Sequence, residues 1–145
     1  MNITIGKITP GQLLQHYKDC NMLIDGVDMH KHFEKLCALA TMVLVHTADE
    51  NLIGLCACYM NDFQTKTAYI THIAISSEYR GRGYGKELLE KTIAIAQEQG
   101  FQKLNLEVMK DNLSALALYR SHDFTIIEDR NTKYLMSLHL ANKSR

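Results

Sequence analysis

The sequence lacks a long apolar run, an excess of charge of one sign and a CxxC cysteine pair. No stretch approaches the ~20 apolar residues of a membrane-spanning helix. The first ten residues have no apolar core of the kind that a signal peptide requires. Sixteen basic residues balance sixteen acidic ones, so no overall field favours nucleic acid or an anionic membrane. We therefore expect a cytoplasmic protein that binds neither.

The four cysteines and seven histidines do not form a metal-binding pattern. Cys56 and Cys58 lie two residues apart in the strand-like stretch LIGLCACYM, so they share one face of the strand and do not clamp a metal. His30 and His32 are the closest histidine pair, and their spacing does not align the rings on one helix face. The sequence predicts buried reduced thiols and no metal site.

Length and patterning predict one domain, residues 1–145. The chain of 145 residues is 46% hydrophobic and 22% charged, as is typical of a globular domain. The single proline lies in the stretch TPGQ, which predicts a helix start with Thr9 as N-cap and Gln12 as its capping-box partner. Asp28 is the predicted cap of a second helix. Periodicity predicts the order β-α-α-β-β-β-α-β-α-β-β, an α/β (α+β) fold with a mixed, mostly antiparallel sheet flanked by helices.

The stretch SSEYRGRGYGKELLE places three glycines at alternate positions directly before a predicted helix. Glycine loses much entropy on ordering, so its repeated use indicates that side chains are unwelcome there. The dinucleotide motif G-x-G-x-x-G fails at Lys86, and the Walker motif fails at Arg80 and Glu87. The remaining pattern, R-x-x-G-x-G, can direct backbone amides at a pyrophosphate from a helix N-terminus. A merely flexible turn with solvated basic residues is the alternative.

Two segments resemble the coenzyme-binding segments of the GNAT superfamily of N-acetyltransferases. THIAISSEYRGRGYGKELLE matches an apolar strand, a turn and Gln/Arg-x-x-Gly-x-Gly/Ala opening a helix. LNLEVMKDNLSALALYRSHDF matches a strand followed by a helix that begins at Asn and carries Ala-x-x-x-Tyr. The segments run from Ile70 to Phe124 in the family's order, although Asp123 stands where the family usually has Gly. The resemblance implies a single GNAT-like domain that uses acetyl-CoA as co-substrate, without a metal.

The resemblance also implies a set of coenzyme-binding residues on one strand end, the loop after it and one later helix start. These are Ile73, Ala74, Ile75, Arg80, Gly81, Arg82, Gly83, Tyr84, Gly85, Lys86 and Asn112. The strand end would pair its backbone with the pantetheine arm, and one amide there would stabilise the oxyanion of the thioester. The loop would hold the pyrophosphate, with its basic side chains adding charge-assisted contacts. Propensity alone interprets Asn112 as a helix cap.

Tyr119 and Glu107 are the implied catalytic residues. Tyr119 matches a family tyrosine whose hydroxyl protonates the leaving thiolate, although an aromatic on a short helix is also typical of a core. Glu107 matches a glutamate that acts as base in relatives acetylating protein N-termini, and a surface carboxylate is its alternative interpretation. His72 and water are further candidates for the base.

The predicted function is therefore an acetyl-CoA-dependent N-acetyltransferase, an acyltransferase acting on a primary amine of a small molecule or peptide by direct attack in a ternary complex. The main alternative is a module with the same fold that senses acyl-CoA without turnover. A nucleotide-dependent phosphotransferase is disfavoured by the failed Walker pattern. The first two helices and the stretch DRNTK, where this family sets specificity, carry no concentrated charge that identifies the amine. A homodimer is left open.

Overall fold

The computed structural model describes Met1–Leu140. Its elements follow the predicted order, which is confirmed. They are β1 (Asn2–Gly6), α1 (Pro10–Asp19), α2 (His30–Leu39), β2 (Thr41–His46), β3 (Leu52–Asp62), β4 (Thr67–Ile75), a 3-10 turn (Ser77–Tyr79), α3 (Tyr84–Glu98), β5 (Lys103–Met109), α4 (Leu113–Ser121), β6 (Thr125–Arg130) and β7 (Lys133–His139). Within Met1–Leu140, none of the helices combines the length and apolarity needed to span a bilayer.

The seven strands form one sheet in the order β1-β2-β3-β4-β5-β7-β6. β1 pairs with β2, β2 with β3, β5 with β7 and β6 with β7, all antiparallel. β4 and β5 pair in parallel, with Thr67–Ile70 opposite Lys103–Leu106. The prediction of a mixed, mostly antiparallel sheet is confirmed.

Contacts divide the chain into two compact units, the first of Met1–Cys58 and His72–Thr92 and the second of Tyr59–Thr71 with the chain from Ile93 onward. In the first unit, Thr9 accepts a hydrogen bond from the Gln12 amide at 3.1 Å, and the Gln12 side chain accepts one from the Thr9 amide at 2.8 Å. The predicted capping box of α1 is therefore confirmed.

The predicted cap of α2 is displaced by one residue. The N-cap is Met29, whose side chain makes no capping bond. Asp28 still accepts a hydrogen bond from the His30 amide at 2.9 Å, so its carboxylate satisfies one amide of the first turn from one position earlier.

A glycine in β3 allows close packing inside the first unit. A Cβ at Gly54 would lie 2.6 Å from Cδ1 of Ile75, 3.3 Å from Cγ2 of Val45 and 3.4 Å from Cδ1 of Leu88. These side chains come from β4, β2 and α3 and are all buried. The space that a side chain would need at residue 54 is therefore already filled.

In the second unit, β5 alternates as predicted, with Leu104, Leu106 and Val108 buried. Helices α3 and α4 end in the same way. After α3, the Phe101 amide donates to the Ala96 carbonyl at 3.0 Å across Gly100, whose φ is 86°. After α4, the Phe124 amide donates to the Tyr119 carbonyl at 3.1 Å across Asp123, whose φ is 70°. Both ends are Schellman motifs with a left-handed residue at C′.

Candidate functional site

The glycine-rich loop leads directly from β4 into α3. β4 ends at Ile75, and the loop reaches the helix at Tyr84. Gly81 and Gly83 have φ values of 77° and 85°, a region that other residues enter at a cost. Gly85 has no such constraint, and a Cβ at any of the three would meet nothing within 4 Å. The positive φ values therefore explain the glycines at positions 81 and 83. The glycine at position 85 is explained by a need for backbone that no side chain covers.

That surface lies at the N-terminus of α3, a helix of 15 residues. The first amides of a helix have no carbonyl of their own helix to bind, and the helix dipole makes this end attractive to anions. Arg82 and Lys86 are exposed beside it. The Arg82 guanidinium lies 5.1 Å from the centre of the Tyr79 ring and donates to the Glu78 carbonyl at 3.3 Å. The arrangement suits a pyrophosphate.

Arg80 has a structural contact that the sequence did not indicate. Its Nε donates to the Ile75 carbonyl at 3.0 Å, and its Nη2 donates to the Cys20 carbonyl at 2.8 Å. Two of its donor groups are therefore already bound to backbone carbonyls, one at the end of β4 and one after α1. The predicted charged contact of Arg80 with a phosphate stays a prediction.

The last three residues of β4 lie beyond its described pairing with β5. The register of β4 with β5 runs from Thr67 to Ile70 in the described structure. Ile73 and Ala74 are half-buried, whereas Ile75 is buried. The backbone of residues 73–75 is thus outside that parallel ladder, as strand-like pairing with an extended ligand would require.

Glu107 is part of a polar cluster in the second unit, not an isolated surface carboxylate. Its Oε2 accepts a hydrogen bond from Nη1 of Arg130 at 3.0 Å, and the Tyr69 hydroxyl lies close enough to interact with it. Arg130 is held in turn by Glu128, with Nε to Oε1 at 2.8 Å. Burial, followed by the Glu107 charge, raises the pKa of Tyr69, while Arg130 opposes the shift.

Tyr69 and Arg130 are absent from the predicted site. Periodicity indicates that Tyr69 lies on the strand face opposite Ala68 and Ile70. Its proximity to Glu107 follows from the parallel register that places Tyr69 opposite Asn105. That register joins residues far apart in sequence, so no local signal could have identified the pair.

Asn112 and Tyr119 mark the two ends of α4. The Asn112 side chain accepts a hydrogen bond from the Ala115 amide at 3.2 Å, so its role as a cap is confirmed. Tyr119 is 6% exposed, and its ring centre lies 5.6 Å from that of Phe124. Packing is thus one role of Tyr119, and its catalytic role stays a prediction.

His72 belongs to a buried aromatic cluster in the first unit. Its Nε2 lies 2.9 Å from Nε2 of His16, and its ring stacks on Tyr17 with centres 4.6 Å apart. Burial lowers the pKa of His72 to about 3, helped by the charges of His16 and His32. Burial also lowers the pKa of His16 to about 4, against the attraction of Asp19. Two neutral rings, one donating and one accepting, fit this contact, so His72 is a weak base at neutral pH.

A cavity of about 620 Å³ also lies in the first unit. Residues of α1, of the turn between β2 and β3 and of the segment 76–79 line it, among them His16, Asp19, Glu50 and Glu78. None of the predicted coenzyme or catalytic residues lines this cavity. The glycine-rich loop is the better candidate for a ligand site than this cavity, because its uncovered backbone amides at a helix N-terminus suit an anion.

The four thiols lie in the described part of the chain and are reduced. Cys20, Cys56 and Cys58 are buried, as expected for Cys56 and Cys58 from their apolar surroundings. Burial raises the pKa of Cys20 to about 11 and that of Cys56 to about 12. Such thiols are poor nucleophiles at neutral pH. Met1–Leu140 contain no cluster of three or more His, Cys, Asp or Glu side chains arranged to hold a metal ion.

Comparison with known proteins agrees with these features. The profile of the Acetyltransferase (GNAT) family matches residues 12–124. N-alpha-acetyltransferase 50 from Danio rerio is 27% identical over 135 residues, covering 91% of this chain and 80% of that protein. The chain spans about half the length, or less, of the first curated relatives that it matches.

Solved structures show the same fold. The ribosomal-protein-S18-alanine N-acetyltransferase from Escherichia coli superposes with a TM-score of 0.77 at 20% identity, covering 97% of this chain and 95% of that one. The PaiA N-acetyltransferase from Thermoplasma acidophilum, solved in complex with coenzyme A, gives 0.72 at 17% identity, covering 96% and 99%. Because the family profile covers most of the sequence, the chain belongs to the acetyltransferase (GNAT) family.

Proposed function

We propose that residues 1–145 act as a single N-acetyltransferase domain that transfers the acetyl group of acetyl-CoA to a primary amine. The observation that carries this proposal is the unobstructed backbone at Gly81, Gly83 and Gly85, at the N-terminus of α3. The pyrophosphate would bind there, and the backbone of residues 73–75, beyond the described pairing of β4 with β5, would bind the pantetheine arm. Family membership supports the choice of coenzyme.

The reaction requires one proton to leave the amine and one to reach the sulfur. The amine nitrogen attacks the thioester carbon, the C–N bond forms, the C–S bond breaks, and a backbone amide of the strand end stabilises the oxyanion. The Tyr69–Glu107 pair is our candidate for accepting the amine proton, directly or through water. Tyr119 would protonate the departing thiolate. His72 is less suited to the role of base because its Nε2 already bonds to His16.

The acceptor that we favour is the N-terminal amine of a peptide. The names of two similar proteins, an N-alpha-acetyltransferase and a ribosomal-protein-alanine acetyltransferase, support this class. Glu107 and Tyr69 offer a carboxylate and a hydroxyl that suit an ammonium group. We place the reaction in the cytoplasm on the sequence argument alone.

Gly85→Val provides the sharpest test of the coenzyme site. Gly85 has neither a positive φ nor a neighbour within 4 Å of a Cβ, so the substitution should leave the fold intact. Wild-type protein should be stabilised by acetyl-CoA and not by ATP or NAD, because only a ligand of the native state raises its melting temperature. The Val side chain should block the pyrophosphate and abolish the shift.

Gly100→Val is the matched control, since Gly100 also faces open space at the opposite end of α3. It should cost stability through its positive φ but keep the acetyl-CoA shift. Normal coenzyme affinity in Gly85→Val would show that the loop is only a turn. Acetyl-CoA binding without release of free coenzyme A across a panel of peptides and small amines would favour a sensor module.

A further inference from the structure

The segment that enters the coenzyme loop is bound to the C-terminal end of α1 by side-chain hydrogen bonds. The Ser77 hydroxyl donates to the Asp19 carbonyl at 3.1 Å, and the Asn21 amide group donates to the Ser77 oxygen at 3.1 Å. Arg80 adds its bond to the Cys20 carbonyl at 2.8 Å. Carbonyls at a helix C-terminus have no partner within the helix, and a cation there is favourable. The Asp19 and Cys20 carbonyls and the Ser77 and Arg80 side chains therefore all have hydrogen-bond partners.

We propose that Arg80 is a positioning residue, which fixes the coenzyme loop on the end of α1 and does not use its guanidinium as a phosphate ligand. This inference rests on the proposed coenzyme function of the loop. The guanidinium joins the carbonyl of Ile75, where β4 ends, to the carbonyl of Cys20, after α1. Gly81, the first loop glycine, is the next residue, so the planar fork fixes where the loop begins.

Helix α1 itself packs against β4, so its C-terminal end is a fixed point to which the loop can be bound. His16 contacts His72 at 2.9 Å, and Tyr17 stacks on the same ring. Asn21, just past the helix, has a φ of 57°, a conformation that asparagine tolerates better than most residues. Its side-chain bond to Ser77 thus comes from a defined backbone geometry. Loss of these bonds should loosen the loop amides and cost coenzyme affinity without altering the chemical step.

Two explanations of Arg80 make opposite predictions for a lysine. A phosphate ligand acts through its charge, so Arg80→Lys should retain much of the affinity that Arg80→Met loses. A positioning residue needs two donors at fixed geometry, which one ammonium group does not supply. In that case Arg80→Lys should bind acetyl-CoA as poorly as Arg80→Met.

Ser77→Ala and Asn21→Gly extend the test to the other side chains of the contact, one from each side. Ser77→Ala removes both bonds of the Ser77 hydroxyl, and Asn21→Gly removes the one from Asn21 to Ser77 while keeping the left-handed backbone of residue 21. Positioning predicts that both weaken coenzyme binding, whereas direct phosphate binding by Arg80 predicts no effect. Arg120→Met, on the exposed side of α4, removes a guanidinium outside the network and should leave the affinity unchanged.

The experiment measures the acetyl-CoA Kd by calorimetry and the steady-state constants of each variant. We expect both Arg80 variants to raise Kd and the KM for acetyl-CoA by about 10-fold, which corresponds to about 1.4 kcal/mol, with kcat at saturation within about twofold. The Ser77 and Asn21 variants should show smaller increases in the same constants.

Wild-type affinity in Arg80→Lys, or unchanged affinity in both Ser77→Ala and Asn21→Gly, would overturn the inference. If the Arg80 variants do not fold, the Ser77 and Asn21 variants decide it. Failure of the wild-type protein to bind acetyl-CoA would instead refute the proposed function of the loop.

Discussion

Among single side chains, Tyr119 is the one for which packing and catalysis can be separated. It is 6% exposed beside Phe124, so Tyr119→Phe keeps the ring contact and removes the hydroxyl. If the hydroxyl protonates the thiolate, kcat and kcat/KM should fall together by roughly 100-fold, while acetyl-CoA affinity is kept. Initial-rate assays of the free thiol of released coenzyme A would measure the loss of turnover. Unchanged turnover with chemistry rate-limiting would remove Tyr119 from the mechanism.

The sequence located the glycine-rich loop and the cap of α4, but not the side-chain contacts around them. The loop glycines and Asn112 could be found because a glycine repeat before a helix and a cap residue are local patterns. The Tyr69–Glu107 contact depends on how β4 registers on β5, and the two bonds of Arg80 depend on where α1 ends. Those contacts are set by tertiary packing, which a local pattern does not record.

Between helices, the ends of α3 and α4 form a natural comparison. Both have a left-handed C′ residue, but α4 has Asp123 where α3 has Gly100. Asp pays a steric penalty in this conformation that glycine avoids, so Asp123→Gly should raise the free energy of unfolding by about 0.5–1 kcal/mol. Gly100→Asp should lower it by a similar amount, since its added Cβ meets nothing within 4 Å. Urea unfolding measures both, and a destabilised Asp123→Gly would contradict the backbone argument.

The order of helices and strands was the most predictable property, because helix, strand and turn signals are local in the sequence. The capping box at Thr9 was also predictable, since its residues lie within three positions of one another. The N-cap of α2 was misplaced by one residue because Met29, a residue with no capping side chain, occupies it. Boundaries that depend on packing more than on a cap are the least accessible to sequence.

Global stability should depend on pH through the His16–His72 pair. Both folded pKa values lie below the ordinary 6.5, at about 4 and about 3, because burial disfavours the charged rings. The unfolded chain therefore binds more protons as pH falls below 6.5. The stabilisation is complete above that pH and is lost as pH falls toward the folded values, by up to about 1.4 kcal/mol per pH unit for each ring.

Urea unfolding between about pH 7.5 and pH 5 isolates this effect, since most carboxylates titrate lower. The double variant His16→Leu/His72→Phe should show a flatter pH dependence across that interval. An equally steep fall in the variant would assign the acid sensitivity to other groups.

The close packing around Gly54 has a consequence for how this sequence can change over evolutionary time. Residue 54 lies far from the loop in the chain, yet a methyl group there would push against the end of Ile75, the last residue of β4. It would also crowd Val45 in β2. The side chains at positions 45 and 75 fill the space beside residue 54, so a relative with a side chain at 54 must carry a smaller or rotated neighbour at 45 or 75. Substitutions at these three positions should be correlated, and drift in β3 is thereby constrained by the strand that ends at the glycine-rich loop.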